Sequence, residues 1–189
     1  WGEEIVVHEC SANNDSLWDI FTLNKSFLTA DGIEEGGKRI AQEVIKGVRE
    51  WQGKQPPLSI NFWGHSMGGL YARYAIAELL DESGDDESSD ERGSGTICGL
   101  QPRLFITTAC PHIGVAGTFA SPVVRAGSLI GVLGASGWLA RSGQQLFWED
   151  DDLFLWRLAC EDRYIQALEK FQFRVLVSNI CNDLVVDFC

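Results

Sequence analysis

The stretch LSINFWGHSMGGLYARYAIAELL, residues 58–80, restricts the fold more than any other part of the chain. Its first nine residues are largely apolar and follow two prolines, which predicts a strand over 58–66. Leu70, Tyr74, Ala77 and Leu80 then recur at spacings of three and four, which predicts a helix over 67–80 with one apolar side. No spacer separates the two elements. The chain must therefore turn sharply between Gly64 and Gly69, where small residues let strand and helix backbones approach. A strand feeding directly into a helix is half of a βαβ unit and points to a parallel sheet.

The flanking sequence extends this pattern. EIVVH, residues 4–8, has the β-branched character of a short strand, and SANNDS after it is rich in turn formers. Ile33, Gly37, Ile40, Val44, Val48 and Trp51 mark one face of a helix. Asp31 is placed to cap it, with Glu34 completing a capping box, and GKQPP ends it. RLFITTAC (103–110) and FRVLVSN (173–179) are strands, and PHIG (111–114) is a turn. Residues 151–171 form one or two helices, with the charge of Asp150 to Asp152 at the start. The alternation predicts a single α/β domain over 1–189, with a mainly parallel sheet flanked by helices.

Two segments stand apart. Residues 81–95, DESGDDESSDERGSG, contain no apolar side chain to offset the entropy of ordering the backbone, and are expected to be a flexible acidic insertion. Residues 115–149 are rich in Gly and Ser with scattered large apolar residues. They read either as a cap over a site or as packing outside the sheet.

The net charge of −12 argues against nucleic acid or anionic membrane surfaces as partners. No apolar run is long enough to span a membrane. The six cysteines form no CxxC pair and most lie beside apolar residues, so free, mostly buried thiols in a reducing, cytoplasmic compartment are expected, and zinc is not. No leader is visible. The chain opens on Trp almost directly into a strand and stops after another, so both ends are expected to be truncated. Composition carries no information on oligomeric state.

Gly64-His65-Ser66-Met67-Gly68 matches the G-x-S-x-G nucleophile elbow in the strand-to-helix context the motif needs. The turn lifts the Ser66 hydroxyl above the sheet and aims the Met67 N–H at an oxygen on the attacked carbon. A serine hydroxyl needs an imidazole to take its proton and a carboxylate to orient that imidazole. Asp183, just beyond the strand FRVLVSN, is placed for the carboxylate. Asp187 is a weaker rival, and the lesser alternative for Asn182-Asp183 is a turn pair. The three histidines, His8, His65 and His112, all precede the acid. His8 is expected at a strand end, and His65 and His112 beside the site. His112 also stands as a substitute base.

GHSMGGLYARYAI, FITTACPHIGV, QQLFWED, YIQALEKFQFRVLVSNICNDLVV and, more weakly, TADGIEEGGKRIAQEV together resemble the serine esterase, or lipase-like, domain family of eukaryotes, within the α/β-hydrolase superfamily. The resemblance implies an α/β-hydrolase fold and hydrolysis of carboxylic esters of acyl lipids or related small molecules without metal or organic cofactor. It implies Ser66 as nucleophile and Asp183 as acid. It also implies an upstream His-Gly motif and a histidine after the acid, neither of which stands in this chain. A binding domain of the same fold without catalysis is the alternative.

Overall fold

The computed structural model describes residues 5–13, 31–51, 57–81, 95–116, 140–180 and 183. Three parallel strands make the main sheet: β1 (Ser59–His65), β4 (Gln101–Thr108) and β5 (Phe173–Val177), in the order β1-β4-β5. β2 (Leu80–Asp81) and β3 (Thr96–Ile97) form a short antiparallel ribbon. The helices are α1 (Ile33–Arg49), α2 (Met67–Leu79), α3 (Ala140–Leu146), α4 (Phe154–Cys160) and α5 (Asp162–Glu169). The expected α/β architecture is present, and residues 151–171 hold two helices.

The register explains how the sheet meets its helices. Phe62 pairs with Phe105 and Gly64 with Thr107, and these four residues are buried. Phe62, Phe105 and Phe171 form one aromatic cluster, with ring centroids 5.5 to 6.4 Å apart. The alternate positions face away, and Trp63 is 75% exposed. A bulge between Ile60 and Asn61 lies opposite Pro102, which has no N–H for the ladder.

α2 is buried on nearly all sides, not along the single stripe its spacing predicts; Gly69 through Ile76 are all buried. The reason is its position between neighbours. The sheet packs on one side, Tyr74 meets Phe154 and Tyr164 at about 6 Å on another, and α1 closes a third. The α1 contact is close: a Cβ at Gly36 would stand 2.4 Å from the Tyr71 ring, and one at Gly37 would stand 2.6 Å from Tyr74.

Several expectations are corrected. Residues 5–8 form no strand: among the described residues they have no sheet partner, and Ile5 and Val7 are 85% and 87% exposed. β-Branched composition alone does not make a strand without a neighbour to pair with. Asp31 does not cap α1. It holds Arg39 at 2.6 Å, while Gly32 occupies the cap position without a side-chain hydrogen bond. The first amides of the helix are satisfied from α3 instead: Gly32 N–H donates to Ser142 Oγ at 3.1 Å, and Ile33 N–H to Gln145 Oε1 at 2.8 Å. Cys10 and Cys160 are exposed rather than buried. The described end of segment 115–149 is core, since Leu146 and Phe147 are buried beside Ile33 and Leu70; residues 117–139 lie outside the described residues. So do residues 82–94 of the acidic insertion, whose flanks are brought together by the β2–β3 ribbon.

Candidate active site

Ser66 sits between β1 and α2 with φ 52° and ψ −131°. A residue with a Cβ in this region carries about 1–3 kcal/mol of strain, which its surroundings must hold. The restraint is on both sides: Ser66 N–H donates to the Thr108 carbonyl at 2.9 Å, and its own carbonyl accepts from Gly69 N–H at 3.1 Å. Its side chain is partly exposed. Met67 begins α2, where helix amides have no intrahelical partner and point beyond the N-terminus.

The glycines divide by role. A Cβ on Gly64 would stand 2.4 Å from Gly69 Cα, and one on Gly69 would stand 2.5 Å from Cys110 Sγ. Gly68, the second glycine of the motif, has open space around it. The close approach is therefore made by Gly64 and Gly69 and not by Gly68.

Beneath Gly69 lies a polar cluster. His112 Nε2 is 2.9 Å from Thr107 Oγ1, and its Nδ1 is 3.7 Å from Cys110 Sγ. Arg73, one helical turn further along α2, is buried and donates from Nη2 to the Leu158 carbonyl at 2.6 Å, while its Nε has no hydrogen-bond partner among the described residues. Burial, and then the Arg73 charge, push His112 down to about 4. Burial pushes the Cys110 thiol up to about 12. A neutral histidine this weakly basic is a poor proton acceptor, and a thiol this weakly acidic is a poor nucleophile. The hydrogen bond to Thr107 Oγ1 ties His112 to the end of β4 beneath the elbow.

His65 is exposed, with Nδ1 3.0 Å from Thr108 Oγ1. His8 sits by Glu43, 3.0 Å from Oε1. Among the described residues no histidine hydrogen-bonds to the Ser66 hydroxyl. Asp183 follows the carboxyl end of β5, as Ser66 follows that of β1, and accepts from Asn179 Nδ2 at 2.8 Å. Asp187 lies outside the described residues. Two clefts of about 280 and 300 Å³ are lined by neither Ser66, His65, His112 nor Asp183. Sequence reasoning missed Thr107, Thr108, Arg73 and Asn179. Only the Asn179–Asp183 spacing within the quoted segment carried a signal.

A family model described as "Putative serine esterase (DUF676)" matches residues 4–189. The chain belongs to this family. The serine esterase family match agrees with the parallel sheet and the elbow described above. The curated relatives include "Putative lipase C4A8.10" of Schizosaccharomyces pombe, 26% identical over 163 residues that cover 85% of this chain and 19% of the relative. "Putative lipase ROG1" of Saccharomyces cerevisiae is 28% identical over 161 residues, 84% of this chain and 20% of the relative. "Putative lipase YDL109C" of the same yeast is 27% identical over 188 residues, 97% of this chain and 26% of the relative. The chain thus spans about a fifth to a quarter of the length of these relatives. No solved structure gives a significant match. Among the described residues no helix is long and apolar enough to cross a membrane.

Proposed function

We propose that this serine esterase domain hydrolyses carboxylic esters of acyl lipids or related small molecules through an acyl-enzyme on Ser66. Ser66 Oγ attacks the ester carbonyl and passes its proton to an imidazole. The tetrahedral oxyanion is held by the Met67 N–H and a second donor. The alcohol leaves with the proton, and water then releases the acid and restores the serine. Asp183 orients the imidazole. Among the described residues none of His8, His65 and His112 hydrogen-bonds to Ser66, and the family resemblance puts the base after the acid, so in this mechanism the imidazole comes from outside residues 1–189. With strands about 4.8 Å apart, the ends of β1 and β5 are separated by about 10 Å, a gap that one imidazole between two side chains bridges.

The observation that carries this proposal is the backbone of Ser66: a non-glycine residue held at φ 52° at a strand-to-helix junction, with its side chain accessible. Strain of that kind is retained where it serves to present a group. The names of the family and of the yeast relatives support the same chemistry. The test is hydrolysis of p-nitrophenyl esters of increasing chain length by the full-length protein and by Ser66→Ala. Turnover that disappears with Ser66→Ala supports the proposal. Equal turnover by both proteins removes Ser66 from the reaction, and no turnover by either favours a binding domain.

A further inference from the structure

Away from the elbow, three side chains converge whose chemistry the esterase reading leaves unused. His8 Nε2 lies 3.0 Å from Glu43 Oε1, and the donor atoms of His8, Cys10 and Glu43 all lie within 4.8 Å of one another. An imidazole nitrogen, a thiol sulfur and a carboxylate oxygen form a donor set suited to borderline-soft Zn²⁺, and poorly suited to Mg²⁺ or Ca²⁺, which favour oxygen alone. With metal bonds of about 2.0–2.3 Å, the corners of a zinc tetrahedron stand roughly 3.3–3.7 Å apart. The His8–Glu43 pair is already close to that spacing.

The surroundings hold the carboxylate in place. Glu43 Oε2 accepts the Ala12 N–H at 2.8 Å, and the Ser11 N–H lies 3.0 and 3.1 Å from its two oxygens. The same turn is fixed to α1 by Asn13, whose Nδ2 donates to the Gly36 carbonyl at 3.0 Å and whose Oδ1 accepts from Arg39 Nε at 2.6 Å. Hydrogen bonds of this kind, made to the ligand rather than to the metal, orient the coordinating atoms of metal sites. Glu43 is on α1, 35 residues after His8. No short ligand spacing reveals the cluster, which is why the sequence alone points away from zinc.

We propose that His8, Cys10 and Glu43 bind a zinc ion that clips the segment preceding α1 onto that helix. The hydrogen bonds to α1 begin only at His8, and the residues before it are held by none of them. Ile5, Val6 and Val7 are exposed, and no described strand pairs with residues 5–10. Three protein donors leave the fourth tetrahedral position to water, so the site is accessible to chelators. Binding energy at such a site is also folding energy for the elements it joins. The proposal does not depend on the esterase reading, because none of the three ligands belongs to the elbow.

The test uses full-length protein stripped with a chelator and then titrated with Zn²⁺ against a chromophoric competitor, and separately with Co²⁺ as a spectroscopic substitute. Stoichiometric zinc binding and a thiolate-to-cobalt charge-transfer band are expected. Cys10→Ser removes the band, and His8→Ala and Cys10→Ser each lower zinc affinity at least about tenfold. Cys160→Ser, at an exposed thiol elsewhere, changes neither. Zinc raises the Tm of the parent protein and not of His8→Ala or Cys10→Ser, whose melting in chelator matches the parent. Absence of zinc binding, or a band and affinity that survive Cys10→Ser, overturns the proposal.

Discussion

The Ser66 amide donates to the carbonyl of Thr108 at 2.9 Å, so the elbow hangs from the neighbouring strand as well as from its own helix. Thr108 is a hub for this edge of the sheet. Its hydroxyl lies 3.0 Å from His65 Nδ1 and accepts from Trp63 Nε1 at 3.3 Å. The next amide, Ala109 N–H, donates to the Val177 carbonyl at 2.9 Å. The ends of β1, β4 and β5 are thereby tied into one frame, with Ser66 on one side and the segment leading to Asp183 on the other.

Because Gly64 meets Gly69 backbone to backbone, Gly64→Ala is expected to destabilise the protein by about 2–4 kcal/mol. Gly68→Ala, which enters open space at the start of a helix, is expected to be neutral or to stabilise by up to about 1 kcal/mol. Denaturant unfolding of the two variants is the check. Equal damage from both would contradict the division of roles.

His112 supplies a pH dependence. Its folded value, about 4, lies below the ordinary 6.5, so between these two values the unfolded chain binds a proton that the native state does not. Stability from this residue is present above pH 6.5 and is lost as pH falls toward 4, by as much as about 3 kcal/mol. Subtracting the stability of His112→Asn from that of the parent, measured by urea unfolding across this range, should isolate a difference of that sign. A difference that grows in favour of the parent as pH falls would contradict it.

The start of α1 gives a paired prediction. Gln145 is fully buried, accepts the Ile33 amide, and donates to Glu34 Oε2 at 2.6 Å, so Gln145→Ala leaves two partners unmet. A loss of about 2–3 kcal/mol is expected. Asp31→Ala breaks only a surface pair with Arg39 and should cost less than about 1 kcal/mol. Thermal melts of the two variants distinguish capping across the fold from capping by the adjacent residue.

These contrasts show what local sequence conveys. The β1–elbow–α2 unit was legible because its signal is short-range: an apolar run, glycines where backbones touch, then helical spacing. The α1 cap was not, because Ser142 and Gln145 arrive from more than 100 residues away while Asp31 is taken by Arg39. EIVVH was misread because strand composition says nothing about whether a partner strand is beside it. The placement of Ser66 on the turn between β1 and α2, and of Asp183 after β5, was readable from motif and order. The Arg73–His112–Thr107–Cys110 cluster was not, since its members join only when α2 packs over the end of β4.

For the acid, Asp183→Asn in the full-length protein is expected to lower kcat for ester hydrolysis by about 10³–10⁴ with little change in Ser66 exposure. Asn179→Ala, which frees Asp183 from its 2.8 Å hydrogen bond, is expected to lower kcat by about tenfold, acting through position alone. Steady-state kinetics on one p-nitrophenyl ester measure both. An Asp183→Asn protein with parental kcat would place the acid elsewhere.

The most direct measurement of the central claim is the site of covalent labelling by a fluorophosphonate probe on the full-length protein, read by peptide mass spectrometry. The proposed mechanism predicts a single modified residue, Ser66, and no labelling of a folded Ser66→Ala variant. Modification of a different residue, or labelling that persists in Ser66→Ala, would contradict it.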